Sequence, residues 1–396
     1  MRLQNSSDSP QSDRIRHEAI FIWLLPTLAL CLLSTFASGK DFNDRVDELF
    51  SKKIGPDTPG CSVGVIEKGK LIHKRGYGLA NLELSVALDG NNVHRIASVS
   101  KQFTALSVLL LAEEGKLTLD EDIRSYLPEL KDYGTKISIN SMLGHFSGMA
   151  DYDFISNPDN AESAGLNLRS VAGGPFRLGN EDYLSIEEFY NVVKEVPLRH
   201  PPYQKWEYSN LAYFLLSMLV EEVSGESLRQ YADKRIFKPL GMNQTFFSDL
   251  PTEIVVNRAS GYRQAEDDRY VTDMTNLFWV GDGGLHTTID DMFKWDQNFL
   301  KPKIGKNPEQ IIQRLNTPNS DRDKKEYDVL YANGQFISEQ KGRRSFRHSG
   351  GWLGVNTFFE RFPKQQFSSI VFCNSTELDA EDFAAKISKI YFRLKE

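Results

Sequence analysis

Short β-rich runs lie at both ends of this 396-residue chain, separated by a long stretch that is mostly helical or irregular. Near the amino terminus, residues 61–70 and 71–81 form two such runs, and the Glu-Lys-Gly-Lys sequence at 67–70 predicts a hairpin. Strand patterns return in the carboxy-terminal third, between residues 333 and 374. This order predicts an α+β protein with one discontinuous sheet domain and a helical insertion, not a series of independent domains.

Four segments have the apolar spacing or the length that is typical of helices. They cover residues 41–54, about 98–115, 210–225 and 380–394, and the second and third of them stop at a glycine. By contrast, residues 150–182 are rich in Asn, Asp, Gly and Ser and predict a long loop. A long loop in a compact domain is usually functional.

The first 39 residues have the pattern of a leader. Polar residues with three arginines precede an uncharged run from Ala19 to Ala37, and Ala37 and Gly39 have the spacing that signal peptidase reads just before Lys40. The run is also about long enough to span a bilayer. Residues 1–39 are therefore a signal peptide or an amino-terminal membrane anchor. Either would place residues 40–396 outside the cytoplasm, in the periplasm, secreted, or attached to the membrane.

Charge and composition exclude two classes of partner. The net charge is −7, and no basic stripe could follow a phosphate backbone, so we do not expect nucleic acid as a partner. The seven histidines show no H-E-x-x-H or similar spacing. Only Cys61 and Cys373 lie outside the leader, which is too few for a disulfide framework or a metal-ligand set. We therefore predict no metal site.

The sequence IASVSKQFTA at 96–105 places Ser98 three residues before Lys101. Positions three apart share one helix face, so the hydroxyl and the amine can meet there. Unpaired N–H groups at a helix start favour an alkoxide-like nucleophile, and a buried lysine one turn later has a lowered pKa and can act as a base. A second S-x-x-K match, Ser338 to Lys341, lies in a polar turn between predicted strands, and we interpret it as solvated surface.

Two further triplets follow in the order that penicillin-recognising enzymes show. In those enzymes S-x-x-K precedes a Ser- or Tyr-containing triplet that ends in Asn, and a Lys-Thr-Gly-like triplet comes last. Here Tyr208-Ser209-Asn210 stands just before a predicted helix, and His348-Ser349-Gly350 ends a predicted strand. A rival triplet, Tyr331-Ala332-Asn333, lies close to the third motif and just before a strand. We therefore interpret Tyr331 as a structural aromatic residue.

Longer stretches around these triplets carry a more specific signal. They read YSNLAYFLLSMLVEEVSGES, IFKPLGMNQTFF, HFSGM, GDGGLHTTIDDMFKW and HSGGWLG. From about residue 45 onward, this set resembles the serine β-lactamase-related family, which holds class C β-lactamases, D-alanyl-D-alanine carboxypeptidases, esterases and D-aminopeptidases. The resemblance implies a transpeptidase-like fold for residues 40–396, with an antiparallel sheet flanked by helices and the site at the boundary with an all-helical region. It implies no cofactor.

The resemblance also implies catalytic roles for the matching positions. Ser98 would be the acylated nucleophile, and Lys101 would be its hydrogen-bonded activator. Tyr208 would move protons to the leaving group and prime the deacylating water, and Asn210 would hold the substrate's amide. His145, in the HFSGM motif, is implied to be a buried hydrogen-bonding residue rather than a base.

The third motif is implied to bind substrate from a strand edge. His348 and Ser349 would face a substrate carboxylate or carbonyl, and the backbone N–H groups of Ser98 and Gly351 would form the oxyanion hole. Histidine in place of lysine is more typical of the carboxypeptidase and esterase branches than of β-lactamases. Because histidine is largely neutral above about pH 6.5, we expect binding of carboxylate-bearing substrates to strengthen as the pH falls through its titration.

These roles predict an exported serine hydrolase that forms an acyl-enzyme with an amide or ester, a D-amino-acid peptide first and a small ester second. Its partner would be a small-molecule or peptide substrate. The alternatives are a β-lactamase, or a non-catalytic penicillin-binding sensor or scaffold of the same fold. The intact set of Ser98, Lys101, Tyr208 and Asn210 argues against the non-catalytic alternative.

Two further expectations concern the backbone around the site and the terminal strands. The Gly-Asp-Gly-Gly sequence at 281–284 is interpreted as tight backbone that lines the cleft, because no strand–turn–helix signature of a phosphate loop follows it. The resembled fold places the terminal strands side by side, so Cys61 and Cys373 could pair in an oxidising compartment. Cross-strand geometry is often unfavourable for a disulfide, which leaves both outcomes open.

Overall fold

Strands from both ends of the chain lie side by side in one seven-stranded antiparallel sheet. The computed structural model describes residues 42–163, 165, 184–276, 278, 280–319 and 330–395. From one edge to the other, the strands of this sheet are β10 (Leu330–Ala332), β11 (Gln335–Gln340), β12 (Arg343–Trp352), β13 (Val355–Phe362), β14 (Phe367–Cys373), β1 (Cys61–Glu67) and β2 (Lys70–Tyr77). The pairing of β1 with both β14 and β2 confirms the discontinuous sheet and the predicted hairpin.

Helices cover both faces of the sheet. Neighbouring residues of β14 point to opposite faces, so Val371 packs in one core and Phe372 in the other. The first core lies under α1 (42–51) and α12 (Ala380–Arg393). The second lies under a larger helical region, which consists of α2 (Lys101–Glu113), α3 (Ile139–Leu143), α4 (Tyr152–Ser156), α5 (Pro158–Ser163), α6 (Ile186–Val193), α7 (Asn210–Ser224), α8 (Leu228–Ala232), α9 (Lys238–Leu240), α10 (Ile289–Leu300) and α11 (Pro308–Leu315).

Short strands beside the main sheet bring two distant loops together. They form three small sheets, β3 (Leu79–Asn81) with β4 (Val86–Ala87), β5 (His94–Arg95) with β9 (Leu285–Thr287) and β6 (Phe246–Phe247), and β7 (Tyr262–Gln264) with β8 (Tyr270–Thr272). The β5–β9 pairing continues into a hydrogen bond from the N–H of Ile96 to the carbonyl oxygen of Leu285, 2.9 Å long. As a result, the segment that carries Ser98 lies against residues 281–284.

The helix α2 is buried around its whole circumference, which decides the environment of Lys101. Lys101 and the next ten residues are all buried, and a helix that is apolar on every side belongs in the interior of a protein. A short 3-10 helix, Ala97–Ser100, precedes it, so the α-helix begins at Lys101 rather than near Ser98. The predicted end of this helix is confirmed, because Gly115 adopts φ +76° just beyond it.

The prediction of a long loop at 150–182 is wrong for its first part. Residues 152–156 and 158–163 form the short helices α4 and α5. Asp151 caps the first by accepting the N–H of Tyr152, and Pro158 begins the second at a position where a missing N–H is tolerated. Asp151 therefore serves here as a helix cap, and Asn157 Oδ1 accepts the N–H groups of Asp159 and Asn160 at the start of α5. Residue 164 and residues 166–183 lie outside the described residues.

Cys61 and Cys373 form a disulfide between the first and the last strand of the sheet. The two residues stand directly opposite each other in the β1–β14 register. The bond joins positions 312 residues apart, so it closes nearly the whole described chain into one loop. The pairing that the sequence left open is thus present.

Reduction of this disulfide is expected to lower the free energy of unfolding by about 2–5 kcal/mol, because the long loop is no longer closed in the unfolded chain. Urea unfolding with and without reductant, on a chain that begins at Lys40, measures the difference. A Cys61→Ala/Cys373→Ala variant is the matched control and should not respond to reductant. Two free thiols in the denatured, unreduced protein would contradict the bond.

Within the described residues, no helix is both long enough and apolar enough to cross a membrane. The apolar run 19–37 lies outside those residues, so its role as a signal peptide or an anchor stays a prediction.

Candidate active site

Ser98 lies in the 3-10 turn that leads into α2. The preceding residue, Ala97, has φ +44°, a left-handed conformation that is uncommon outside glycine. The turn is held by Ser100, whose hydroxyl donates to the carbonyl oxygen of Ala97 (2.5 Å) and accepts the N–H of Leu285 (3.1 Å). Ser98 itself is only half-buried, so a substrate can reach its hydroxyl.

Lys101 is completely buried one turn after Ser98. Its Nζ donates to Ser98 Oγ (3.1 Å), to Asn210 Oδ1 (2.7 Å) and to the carbonyl oxygen of Asp282 (2.7 Å). Burial lowers the pKa of Lys101 to about 8, although the carboxylates of Asp282 and Asp151 favour its charged form. A lysine with this pKa is partly neutral near neutral pH and can accept a proton from Ser98.

Tyr208 lies beside Lys101, whose Nζ is 4.8 Å from the centre of the tyrosine ring. Burial raises the pKa of Tyr208 well above its ordinary value, and the nearby Ser98 hydroxyl opposes that rise. Among the described residues, no group forms a hydrogen bond with the buried Tyr208 hydroxyl, and Ser98 is close to it without being bonded. Tyr208 therefore keeps its proton at neutral pH and lies close to the nucleophile.

Asn210 is the first residue of α7, after the N-cap residue Ser209. Its side-chain oxygen accepts from Lys101, and its side-chain nitrogen donates to Asp151 Oδ2 at 3.1 Å. The structure therefore brings Asn210 into the site, as predicted, with both ends of its amide bound to protein groups. Its predicted role of holding a substrate amide stays a prediction.

His348 is buried on β12, and both of its ring nitrogens have partners. Nδ1 is 2.6 Å from the carbonyl oxygen of Ser349, so we assign the hydrogen to Nδ1, and Nε2 then accepts from the hydroxyl of Tyr331 at 3.1 Å. Burial lowers the pKa of His348 to about 3, and Lys101 contributes in the same direction.

One expectation about this region is corrected, and another is extended. His348 stays neutral throughout the physiological range, so the expectation that its titration near pH 6.5 strengthens carboxylate binding is wrong. Tyr331 is buried, as expected of a structural aromatic residue, but it also orients the imidazole of His348 through its hydroxyl. No local spacing indicates this contact, because Tyr331 lies on β10 and His348 on β12.

The strand β12 packs closely on the turn that carries Ser98. Thr357 Oγ1, on β13, donates to the carbonyl oxygen of Ile96 (2.8 Å), and a Cβ atom at Gly350 would lie only 2.3 Å from that oxygen. This close approach requires glycine at 350 and brings the exposed residue Gly351 alongside the turn. The arrangement suits a pair of N–H donors, of Ser98 and Gly351, that face one substrate oxygen. The roles of Gly351 and of the exposed Ser349 stay predictions.

Two carboxylates near Lys101, the buried Asp282 and the half-buried Asp151, were not among the predicted site residues. Asp282 accepts from the hydroxyl of Tyr152 at 2.6 Å; burial raises its pKa, and the positive charge of Lys101 opposes that rise. Asp151 binds Asn210. Asp282 lies within the Gly-Asp-Gly-Gly sequence at 281–284, and Asp151 lies two residues after the HFSGM motif.

Three further interpretations of the sequence are confirmed, for His145, residues 281–284 and the second S-x-x-K match. His145 is fully buried with its ring 4.2 Å from that of Tyr208, and its Nδ1 accepts the N–H of Ser209 at 3.1 Å. The carbonyl oxygen of Gly281 accepts from the Thr104 hydroxyl, and that of Asp282 accepts from Lys101 Nζ. Residues 281–284 therefore line the site with backbone groups. Lys341 of the second S-x-x-K match is exposed in the turn between β11 and β12.

A half-buried serine, a buried lysine and a protonated tyrosine meet where an antiparallel sheet adjoins a helical region, and this defines an active-serine site of the transpeptidase-like fold. The family model described as Beta-lactamase matches residues 46–390, and the chain belongs to this family. At the level of the family, the chain is a serine hydrolase.

Comparison with individual proteins supports the same fold. Penicillin-binding protein 4* of Bacillus subtilis (strain 168) is 28% identical over 80% of this chain and 68% of its own length. The chain spans 59% to 63% of the length of several other curated relatives.

Two solved structures extend the comparison. EstCE1, described as a hydrolase with promiscuous acyltransferase activity, has a TM-score of 0.73 at 19% identity, with 89% of this chain and 99% of that chain covered. The D-amino acid amidase from Ochrobactrum anthropi SV3, in complex with D-phenylalanine, has a TM-score of 0.65 at 20% identity, with 89% and 98% covered. At these identities the two structures demonstrate a shared fold alone.

Proposed function

We propose that the chain is an exported serine hydrolase that cleaves an amide or an ester through an acyl-enzyme on Ser98. The observation that carries this proposal is the fully buried Nζ of Lys101, which lies 3.1 Å from the Ser98 hydroxyl and has a pKa lowered to about 8. A buried lysine at hydrogen-bond distance from a reachable serine is the arrangement expected of a nucleophile with its base.

Acylation begins when neutral Lys101 accepts the proton of the Ser98 hydroxyl. Ser98 Oγ then bonds to the carbonyl carbon of the substrate, and the N–H groups of Ser98 and Gly351 stabilise the resulting oxyanion. One such donor is typically worth about 3–4 kcal/mol. Tyr208 donates its proton to the leaving nitrogen or oxygen as that bond breaks, and the proton held by Lys101 then restores the phenol.

Deacylation uses the same groups in reverse order. A water molecule enters where the leaving group departed and gives its proton to the Tyr208–Lys101 pair as its oxygen bonds to the acyl carbon. The bond from the acyl carbon to Ser98 Oγ then breaks, and Oγ regains a proton. The free acid leaves, and the site returns to its starting protonation state.

A D-amino-acid peptide or amide is the first choice of substrate, and a small ester is the second. One structural neighbour is a D-amino acid amidase, and another is a hydrolase with promiscuous acyltransferase activity, which supports amide hydrolysis and acyl transfer on this fold. His348 is neutral at the position where the Lys-Thr-Gly-like motif has its lysine, so it offers no fixed cation to the carboxylate of a β-lactam. We therefore expect poor β-lactam turnover.

Labelling with a fluorophosphonate and with a fluorescent penicillin, side by side, tests this function. We expect the fluorophosphonate to modify Ser98, as identified by peptide mass, and D-amino-acid amides or small esters to be hydrolysed faster than β-lactams. Efficient cephalosporin turnover without esterase or peptidase activity would place the chain among β-lactamases. Failure of both probes to label the folded protein would support a non-catalytic sensor or scaffold.

Export is part of the proposal and rests on the leader pattern of residues 1–39. Intact-mass analysis of protein from the envelope fraction decides between the two forms of export. A mass that begins at Lys40 indicates a cleaved signal peptide, and a mass that retains residues 1–39 indicates a membrane anchor. Recovery of the protein from the cytoplasm alone would contradict export.

A further inference from the structure

The side chain of Asp151 binds Asn210 at two points. One carboxylate oxygen accepts the backbone N–H of Asn210 at 2.9 Å, and the other accepts its side-chain Nδ2 at 3.1 Å. Asn210 Oδ1, at the other end of the same amide, accepts from Lys101 Nζ at 2.7 Å. Asp151, Asn210 and Lys101 therefore form a continuous hydrogen-bonded series that ends on the Ser98 hydroxyl.

Asp151 is itself held in place by the backbone around it. It caps α4 by accepting the N–H of Tyr152 at 2.8 Å, and the carbonyl oxygen of its neighbour Ala150 accepts the hydroxyl of Ser209 at 2.8 Å. Burial raises the pKa of Asp151, while the N–H groups of Tyr152 and Asn210 and the charge of Lys101 oppose that rise and favour the ionised form. An ionised carboxylate can only accept hydrogen bonds. In this position it therefore selects the orientation of Asn210 in which the nitrogen faces Asp151 and the oxygen faces Lys101.

The same carboxylate is one of two negative charges that act on Lys101. Asp282 and Asp151 both favour the protonated amine, whereas burial disfavours it more strongly. Other groups that face Lys101 from the surrounding elements are neutral at working pH, namely the imidazoles of His145 and His348 and the phenols of Tyr208 and Tyr213. A change of charge at Asp151 therefore acts directly on the protonation of Lys101.

We propose that Asp151 is a positioning residue for acylation, which orients the amide of Asn210 so that its oxygen holds Lys101 against Ser98. This inference rests on the proposed function. Without the carboxylate, the amide of Asn210 loses the partner that distinguishes its two ends. It can then turn its nitrogen toward Lys101, where two donors oppose each other and the lysine moves away from Ser98.

The test is the rate at which a fluorophosphonate labels Ser98 in the full chain, measured between about pH 6 and pH 10. Asp151→Asn keeps a good N-cap for α4 but places an amide nitrogen opposite Asn210 Nδ2. We expect labelling to slow roughly tenfold to a hundredfold, the range typical of a misplaced reacting group. We also expect the acidic limb of the rate profile to move to lower pH, because Lys101 loses both a nearby negative charge and an acceptor.

Asp153→Asn is the matched control. Asp153 lies on the same helix, two residues further on, and its exposed carboxylate pairs with Arg199. The variant removes one negative charge at a similar sequence position without touching Asn210. We expect its labelling rate and its pH profile to match those of the wild type.

An Asp151→Asn/Asn210→Asp double variant tests the orientation directly. The exchange reverses the pair, with a donor at 151 facing an acceptor at 210, and the new carboxylate at 210 can accept from Lys101. Because that carboxylate raises the pKa of Lys101, the labelling rate of this variant is read on the plateau above its acidic limb. Recovery of labelling by roughly tenfold over Asp151→Asn is expected. If Asp151→Asn alone fails to fold, the labelling rate of the double variant relative to the wild type tests the positioning role of Asp151.

The outcomes separate the inference from the proposed function. An Asp151→Asn rate equal to the wild-type rate, or a slower rate with an unmoved acidic limb, would overturn the positioning role while Ser98 labelling stands. Absence of recovery in the double variant would overturn it as well. A wild-type protein that is not labelled at Ser98 would instead overturn the proposed function, and the inference with it.

Discussion

Replacement of Ser98 by alanine is expected to abolish covalent labelling and to remove turnover of every substrate. The variant deletes the oxygen that would bond to the carbonyl carbon, and nothing else in the reaction can replace that bond. Loss of the nucleophile in a serine enzyme costs on the order of 10⁶-fold in kcat. Labelling by fluorophosphonate with peptide mass analysis, together with hydrolysis of a D-amino-acid amide and a small ester, measures the effect.

Ser338→Ala is the matched control for this variant. Ser338 begins the second S-x-x-K match, but it lies within β11 opposite Ser345, and its lysine is exposed in the following turn. We expect labelling and turnover to remain close to the wild-type values. Labelling that survives in Ser98→Ala would show that the modified residue is another one and that the 3-10 turn at 97–100 is only a helix start.

Features that depend on neighbouring residues in the chain could be predicted from the sequence. The turn at 67–70 produces the β1–β2 hairpin, and α7 ends where Gly225 adopts φ +72°. The nucleophile and its base are three residues apart, so a single helical turn brings them together. Their roles became specific only through the order of the three motifs along the chain.

Contacts between distant residues that belong to none of the three motifs could not be predicted. Asp151 contacts Asn210 across 59 residues, and Tyr152 contacts Asp282 across 130. No local spacing encodes either contact, because both arise when α4, α7 and residues 281–284 pack around Lys101. The state of His348 depends likewise on distant residues, because burial lowers the pKa of its imidazole to about 3 and Lys101 acts in the same direction, while Tyr331 binds its Nε2.

Lys101→Ala and Lys101→Arg are both expected to lose acylation, and the arginine variant is the more informative of the two. Arginine keeps the positive charge but stays protonated throughout the accessible range, so it cannot accept the Ser98 proton. Loss of a general base typically costs about 10²- to 10⁴-fold. Measurement of the fluorophosphonate labelling rate in both variants separates loss of the base from loss of the charge.

The pH profile gives the sign of this effect. Lys101 must be neutral to accept a proton, and its pKa is lowered to about 8, so the wild-type acylation rate should rise with pH and level off above about pH 8. In Lys101→Arg this limb should disappear, and the small residual rate should be flat there. A limb near pH 8 that persists in the variant would assign the base to another group. Tyr208 does not fit that role in the resting site, because its raised pKa keeps the phenol protonated where Lys101 is already neutral.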